Sequence, residues 1–146
     1  MPTFFTEVFD EPTPVAPLGL IVMESARELG KAIDNYLVNW YNRDLAKHNR
    51  EFTKKDTFII DSVCPRFTTG DGKGMINGSV RGRDLYIITD VGNYSCKYSM
   101  YGNENCMSPD DHYADLKRII SAVGGKAERI TVVMPILYGG RQHRRN

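Results

Sequence analysis

The stretch SPDDHYADLKRIISAVGGKAERITVVMP, residues 108–135, decides the fold class of this chain. A helix start is indicated by a capping hydroxyl, a proline at the first helical position and two acids in the first turn: Ser108, Pro109, Asp110 and Asp111. Helical spacing predicts a buried face made of Leu116, Ile119, Ile120 and Val123. Gly124-Gly125 then stops the helix, and RITVVMP, residues 129–135, is predicted to be a strand.

Upstream of this helix the sequence predicts another strand and a loop. DLYIITDV is a strand over Asp84–Val91, and residues 92–108 are polar and rich in Gly, Asn and Ser, which favours a long loop or a small insertion. Before them, MINGSVRG at 75–82 could form a short strand, and TTGDGKG at 68–74 must turn.

The N-terminal half adds a strand, a helix and a second strand. Leu20–Met23 is a short buried strand, and Ser25 with Glu28 forms a capping box. The helix then runs to about Asn49 with one apolar stripe, predicted to face the core: Leu29, Ile33, Tyr36, Leu37 and Trp40. A further strand is expected over Thr57–Cys64, where Pro65 breaks it. This order of elements predicts an α/β fold with a mostly parallel sheet flanked by helices at residues 18–146, preceded by an extended Pro-rich arm at residues 1–17.

Composition excludes several classes of function. The 146 residues suit one domain, and a net charge of +1 gives no general attraction to nucleic acid or to anionic membranes. The N-terminus lacks the features of a signal peptide, and no apolar run is long enough to span a membrane. Three cysteines, an odd number, argue against a disulfide framework. A soluble cytoplasmic protein is expected.

Two loops follow predicted strands and could bind a ligand where parallel strands end: RFTTGDGKG at 66–74 and YGGRQHRR at 138–145. Arg141 offers a guanidinium fork suited to phosphate, and Gln142 an amide. Each loop also has an ordinary interpretation, the first as a simple hairpin turn and the second as a solvated basic tail. Residues 68–74 are not a P-loop, since Gly74 follows Lys73 where Ser or Thr is required.

Other reactive residues have simpler explanations. Asp110 and Asp111 are accounted for by the helix start, and the spacing of Cys96, Cys106 and His112 matches no standard zinc site. Cys64 is expected to be a small buried side chain and His48 an exposed one. The three loop tyrosines lack a basic groove that would favour base stacking: Tyr94, Tyr98 and Tyr101.

Several segments in the same order resemble one enzyme family. RFTTGDGKGMINGSVRGRDLYII at 66–88 resembles the stretch that begins RFSDGE in ribose-phosphate pyrophosphokinases, and GGKAERITVVMPILYGGRQHRR at 124–145 resembles their strand ending in ARQDRR. SARELGKAIDNYL at 25–37 is similar to their first helix.

This resemblance implies a phosphoribosyltransferase-like N-terminal half and a definite reaction. Family members transfer pyrophosphate from Mg-ATP to ribose 5-phosphate, giving PRPP and AMP, and they work as oligomers with ATP often held across a subunit interface. The implied ATP-binding positions are Phe67, Thr69, Gly70, Asp71, Arg141 and Gln142. The implied cofactor is Mg²⁺ and the implied partner another copy of the chain, with no nucleic acid or membrane.

The sequence also departs from the family pattern. Thr69 replaces an aspartate, Asp71 replaces a glutamate, and His143 replaces the aspartate of RQD. The family's metal-binding His, its catalytic Lys-and-Arg loop and its ribose-phosphate loop have no counterpart, so no catalytic or metal-binding residue is assigned and this chain alone is expected to be inactive. The alternatives are a noncatalytic binding or regulatory subunit of a complete synthetase and, more weakly, a nucleic-acid contact through Arg144 and Arg145.

Overall fold

The fold is an α/β sandwich around a small parallel sheet. A computed structural model describes residues 15–47, 53–142 and 144. The strands in chain order are β1 Leu18–Val22, β2 Ser62–Val63, β3 Met75–Ile76, β4 Asp84–Ile88, β5 Lys97–Met100, β6 Asn103–Cys106 and β7 Arg129–Val133. Two α-helices, α1 at Arg27–Lys47 and α2 at Pro109–Val123, follow β1 and β6, and a 3-10 turn at Glu24–Ala26 leads into α1.

The central sheet has the order β1-β4-β7 and is parallel throughout, as predicted. Adjacent residues of β1 point to opposite faces, so Val22 meets α1 while Ile21 joins the core beneath α2. That core also contains Leu85 and Ile87 of β4 and the buried face of α2. One helix therefore covers each face, which confirms the predicted fold class.

Helix α2 begins and ends where the sequence predicted. The Ser108 hydroxyl accepts from the Asp111 N–H at 3.2 Å, and the Asp111 carboxylate accepts from the Ser108 N–H at 2.8 Å. Partial burial raises the pKa of Asp111, but the Ser108 hydrogen bonds outweigh it and the net shift is downward. Gly124 ends the helix in the left-handed conformation at φ 59°. Only Ile120 departs from the prediction, since it lies exposed on the outer side.

The predicted capping box of α1 is wrong. The Ser25 hydroxyl accepts a hydrogen bond from the Asp90 N–H at 3.1 Å and lies 3.4 Å from the Thr89 hydroxyl, so it links β1 to the end of β4. The 3-10 turn starts after Met23 with no side-chain cap. The Ser25 hydroxyl is therefore hydrogen-bonded to Asp90, which is distant in sequence, and not in the expected capping box with Glu28.

The predicted core stripe of α1 is wrong at three of its five positions, since Ile33 and Leu37 are half-buried and the other three are exposed. Tyr36 and Trp40 are 71% and 65% exposed, and Leu29 is 42% exposed. The inward side of α1 instead presents Gly30, Asp34 and Leu45. The Asp34 carboxylate accepts from the Thr57 hydroxyl and the Phe58 N–H, both at 2.7 Å. These hydrogen bonds join α1 to the segment at residues 57–58.

The strand expected over Thr57–Cys64 divides between two sheets. Residues 58–60 pair with β1, as Leu20 N–H donates to the Phe58 carbonyl at 2.9 Å and Ile60 N–H to the Leu20 carbonyl at 2.7 Å. The chain then leaves the central sheet, and β2 pairs antiparallel with β3. The short strand expected within 75–82 is therefore present, but only at Met75–Ile76.

Residues 92–108 hold more structure than a loop. Strands β5 and β6 form an antiparallel hairpin in register Lys97↔Cys106, so of the two predicted alternatives the segment is a small insertion and not a long loop. Strand β4 ends at Ile88, three residues before the predicted end. Residues 1–14 of the predicted arm and the expected helix end near Asn49, with His48, lie outside the described residues. In the part of the chain described, no helix has the length and apolar character needed to cross a bilayer.

Gly30→Ala is expected to destabilise the protein by about 1–2 kcal/mol, although alanine favours helix. A Cβ at position 30 would overlap Cγ1 of Val22, because α1 packs directly on β1 there. Val22→Ala removes the obstructing methyl groups, so the double variant Val22→Ala/Gly30→Ala should be more stable than the sum of the two single changes. Urea unfolding of the four proteins measures this coupling, and strict additivity would contradict the close contact.

Candidate functional site

The loop at 66–72 is a tight hairpin that places an aromatic ring beside a carboxylate. Arg66 pairs antiparallel with Gly72, and the Phe67 N–H donates to the Asp71 carbonyl at 2.8 Å. Directly opposed residues of an antiparallel pair project to the same face, so Phe67 and Asp71 stand side by side. Thr69 at the turn donates its hydroxyl to the Asp71 carboxylate at 2.9 Å. The sequence left two interpretations open, a simple turn or a loop that binds a ligand. The structure shows a hairpin turn whose exposed side carries the Phe67 ring and the Asp71 carboxylate.

The turn requires a glycine at position 70. Gly70 has φ 92°, a conformation that side chains disfavour, and its N–H donates to the Phe67 carbonyl at 2.9 Å. A Cβ there would lie 3.0 Å from the Met100 sulfur of β5. The glycine therefore serves both the turn and its contact with the β5–β6 hairpin.

A buried ion-pair network fixes the base of this loop to α2. Arg66 donates to Asp115 at 2.9 Å, and Arg118 donates to the other oxygen of the same carboxylate at 2.7 Å. The side chains of Arg66 and Asp115 are only 9% and 7% exposed. Burial raises the pKa of Asp115, and the neighbouring guanidinium groups offset only part of that rise. The network holds the loop's first residue in place.

The hairpin β5–β6 supports the same loop from the other side. The Arg66 guanidinium lies 4.9 Å from the ring centroid of Tyr98, and the Tyr101 N–H donates to the Thr68 carbonyl at 2.9 Å. Sequence reasoning missed both this support and the Asp115 network. The one available signal was a carboxylate at position 115, beside Leu116 on an otherwise apolar helix face.

The C-terminal segment packs on the first turns of α2. Tyr138 stacks on Tyr113 with ring centroids 4.0 Å apart, and its hydroxyl donates to Asp110 at 2.7 Å. Arg141 and Gln142 follow on an exposed turn, where the Gln142 N–H donates to the Gly139 carbonyl at 2.9 Å. His143 and Arg145 lie outside the described residues.

The two candidate segments contact different sides of α2. The loop contacts Asp115 and Arg118, whereas Tyr138 contacts Asp110 and Tyr113. Asp110 and Asp115 are five residues apart, as are Tyr113 and Arg118, and residues five apart project about 140° apart around a helix axis. The two residues that contact the loop are therefore turned well away from the two that contact Tyr138. Within one copy of the chain the two segments therefore approach α2 from separate directions.

The remaining candidates have structural roles. His112 is buried and its Nε2–H donates to the Asn93 carbonyl at 2.7 Å, which ties α2 to the chain after β4. Among residues 15–47, 53–142 and 144, no group of three His, Cys, Asp or Glu side chains could hold a metal ion. Cys64, Cys96 and Cys106 are all free thiols. Tyr94 and Tyr101 are exposed, whereas Tyr98 contacts Arg66.

Comparison with known protein families decides what this chain is related to. The model of the N-terminal domain of ribose phosphate pyrophosphokinase matches residues 18–146. The chain belongs to this family. The matched range includes the hairpin at 66–72 and the segment at 138–142, and the parallel sheet with its two helices agrees with a phosphoribosyltransferase-like N-terminal domain. A comparison with curated proteins gave no match.

Cys64 should be the slowest of the three thiols to react with iodoacetamide, and Cys106 the fastest. Burial raises the pKa of Cys64 to about 11, so little thiolate is present near pH 8, whereas Cys106 is exposed. The labelling rate of Cys64 should keep rising towards pH 11. Peptide mass spectrometry of samples quenched at intervals gives the three rates, and Cys64 reacting as fast as Cys106 at pH 8 would contradict the structure.

Proposed function

We propose that this domain supplies ATP-binding surface to a ribose-phosphate diphosphokinase, which transfers pyrophosphate from Mg-ATP to ribose 5-phosphate and yields PRPP and AMP. The observation that supports this most is the family match, which covers both the Phe67–Asp71 hairpin and the Arg141-Gln142 turn. The family acts in nucleotide biosynthesis. We place the enzyme in the cytoplasm, with no nucleic-acid or membrane partner.

The hairpin is suited to an adenine ring. Phe67 is 58% exposed, so a base can stack on it without displacing other side chains. The Asp71 carboxylate beside the ring can accept from the exocyclic amine of adenine. Thr69 orients that carboxylate through its hydroxyl, and this partly replaces the acid that the family pattern has at position 69.

The turn at 139–142 is suited to the phosphates. Arg141 is exposed at a turn shaped by Gly139, which has φ 70°, and its guanidinium can contact two phosphate oxygens at once. Gln142 offers an amide beside it. Both side chains bind and orient the nucleotide, and we assign no catalytic residue in the described part of the chain.

Magnesium fits this site only as part of the nucleotide. The described residues provide no cluster of three metal ligands, and Asp71 is the only carboxylate within the hairpin turn 67–71. We propose that Mg²⁺ is held by the phosphates of ATP, where it neutralises charge that develops during pyrophosphoryl transfer. Arg141 adds positive charge on the protein side.

We propose further that a complete ATP site forms between two copies of the chain. The hairpin and the Arg141 turn approach α2 from different sides, so one copy would present the adenine-binding face and the other the phosphate-binding turn. This arrangement supports a homo-oligomer as the form that binds ATP.

Isothermal titration with Mg-ATP tests the assigned residues. Phe67→Ala should weaken binding by about tenfold, the effect of losing one base–aromatic stack, and Arg141→Gln by a similar factor through one charged hydrogen bond. The matched controls are Tyr94→Ala and Arg81→Gln, which change an exposed ring and an exposed cation outside both segments. If the controls weaken ATP as much as the site variants do, the proposal is wrong.

A further inference from the structure

A cavity lies outside the proposed ATP-binding residues. It has a volume of about 530 Å³, within the usual range for small-molecule sites. Its floor is formed by residues 22–25, at the end of β1 and just after it, and by residues 59–66, and α2 closes one side with His112, Asp115 and Ile119. None of the residues 67–71, 141 and 142 lines it.

The cavity lies at the carboxyl end of β1, beside the segment that follows residues 58–60. From β1 the chain crosses to residues 58–60 on one side, and the next strand of the sheet, β4, pairs on the other side of β1. Ligands of open α/β sheets bind outside the carboxyl ends of the strands, and residues 22–25 at the carboxyl end of β1 line this cavity. The Ser25 hydroxyl, which follows β1, accepts a hydrogen bond from the Asp90 N–H at 3.1 Å and so links this side of the cavity to the chain after β4.

The β5–β6 hairpin forms the roof. Cys96, Lys97 and Tyr98 line the cavity from the start of this hairpin, and Met107 lines it from the residue after β6. The Met107 N–H donates to the Cys96 carbonyl at 2.8 Å, which closes the base of the hairpin. The segment predicted to be a long loop or a small insertion thus encloses a space of ligand size.

The charges around the cavity leave one cation without a partner. Four cationic side chains line it, with three carboxylates: Arg27, Lys31, Arg66 and Lys97, against Glu24, Asp61 and Asp115. Each carboxylate already accepts a hydrogen bond, Glu24 from Arg27, Asp61 from Asn77 at 2.6 Å and Asp115 from two arginines. Lys97 is paired with Glu104. Within the described ranges, Lys31 has no hydrogen-bond or ion-pair partner.

Lys31 does not stand alone at the rim. Arg27 is one helical turn before it, and side chains four residues apart lie on the same side of a helix. The ion pair of Arg27 with Glu24 is more than half exposed, so the guanidinium can turn to an incoming anion at little cost. Behind these two cations the walls are apolar, with Met23, Ile60 and Met107.

We propose that this cavity binds a small organic phosphate, with its phosphate on Arg27 and Lys31 and a planar, apolar body beneath the β5–β6 hairpin. A dianion matches two adjacent cations, and the guanidinium of Arg27 suits phosphate oxygens. The apolar walls bind the body of the ligand. The site uses none of the residues assigned to ATP, so it is independent of the proposed function.

Phenyl phosphate is the probe that tests this proposal, because it joins a phosphate dianion to a small planar ring. Amide NMR spectra of the full chain should show saturable shifts at residues 24–31 and 96–98 during its titration. Inorganic phosphate and phenol are the comparison ligands, and each should bind at least about tenfold more weakly, since each lacks one half of the contacts. Resonances of residues 67–71 and 141–142 report any binding at the ATP segments separately.

Lys31→Gln should weaken phenyl phosphate by about tenfold while the spectrum stays folded, because Lys31 is exposed. Lys126→Gln is the matched control, an equal loss of charge at an exposed lysine outside the cavity. Three results would overturn the proposal: no saturable shift at the cavity, equal binding of phenol, or equal weakening by both lysine variants.

Discussion

Replacement of Asp115 by Asn should lower the free energy of unfolding by about 3–5 kcal/mol, the usual result of removing one partner from a buried ion pair. The Asp115 carboxylate accepts from Arg66 and from Arg118, and Arg66 is only 9% exposed. Asn keeps the shape of the side chain but leaves two guanidinium groups, one of them buried, without an opposite charge. Because Arg66 begins the candidate ATP hairpin, the same change should also weaken Mg-ATP binding.

Glu104→Gln is the matched control for this prediction. It removes the carboxylate of an ion pair with Lys97 that is about half exposed on each side, and such pairs contribute less than about 1 kcal/mol. Urea unfolding of both variants gives the comparison. If both variants lose an equally small free energy of unfolding, the Asp115 network does not hold the loop on α2.

Gly74→Ala should destabilise the protein by about 3 kcal/mol, at the upper end for overpacked sites. A Cβ at position 74 would overlap the carbonyl oxygen and carbon of Arg118, which belong to the backbone of α2 and cannot rotate away. The chain at residue 74, and with it the hairpin at 66–72 that precedes it, must then move away from α2. We therefore expect weaker Mg-ATP binding together with the lower stability.

Gly92→Ala provides the comparison for Gly74→Ala. A Cβ at position 92 would lie 2.8 Å from Cδ1 of Ile136, the flexible end of a side chain that is 57% exposed. That side chain can move, so the change should cost under about 1 kcal/mol. Thermal unfolding ranks the two variants, and a Gly74→Ala protein as stable as Gly92→Ala would refute the close approach of hairpin and helix.

The sequence predicted α2 well and α1 poorly, for a physical reason. The start of α2 is set by contacts within four residues, Ser108 with Asp111, and such local signals can be recognised in a sequence. The inward side of α1 depends on Gly30 against Val22 and on the Asp34 hydrogen bonds, and hydrophobic periodicity detects neither. The apolar spacing from Leu29 to Trp40 therefore indicated the wrong face.

Strand pairing was predictable only in part. The apolar run from residue 57 indicated extended chain correctly, but alternation along one segment does not say which strand it pairs with or where it leaves a sheet. Residues 58–60 pair with β1 and residues 62–63 with β3. The β5–β6 hairpin was missed because its strands are polar and have no buried face to pattern them.

The loops of the candidate site could be predicted from the sequence, but the residues that support them could not. Glycines indicated the turn at residues 68–74, and the family resemblance indicated which of its side chains are candidates for binding ATP. The groups that hold the turn could not be inferred, since Asp115 and Tyr98 are distant in sequence and meet Arg66 only in the fold. Supporting residues of this kind require a structure.

The most direct test of the account is a mixing experiment on the composite ATP site. Phe67→Ala chains and Arg141→Gln chains are each expected to bind Mg-ATP weakly. In an equimolar mixture with free exchange of subunits, about a quarter of the composite sites pair an intact hairpin with an intact Arg141 turn. Those sites should regain wild-type affinity, which the titration would measure as a fraction that binds Mg-ATP tightly. A mixture that binds no better than its two components would contradict an ATP site shared between copies of this domain.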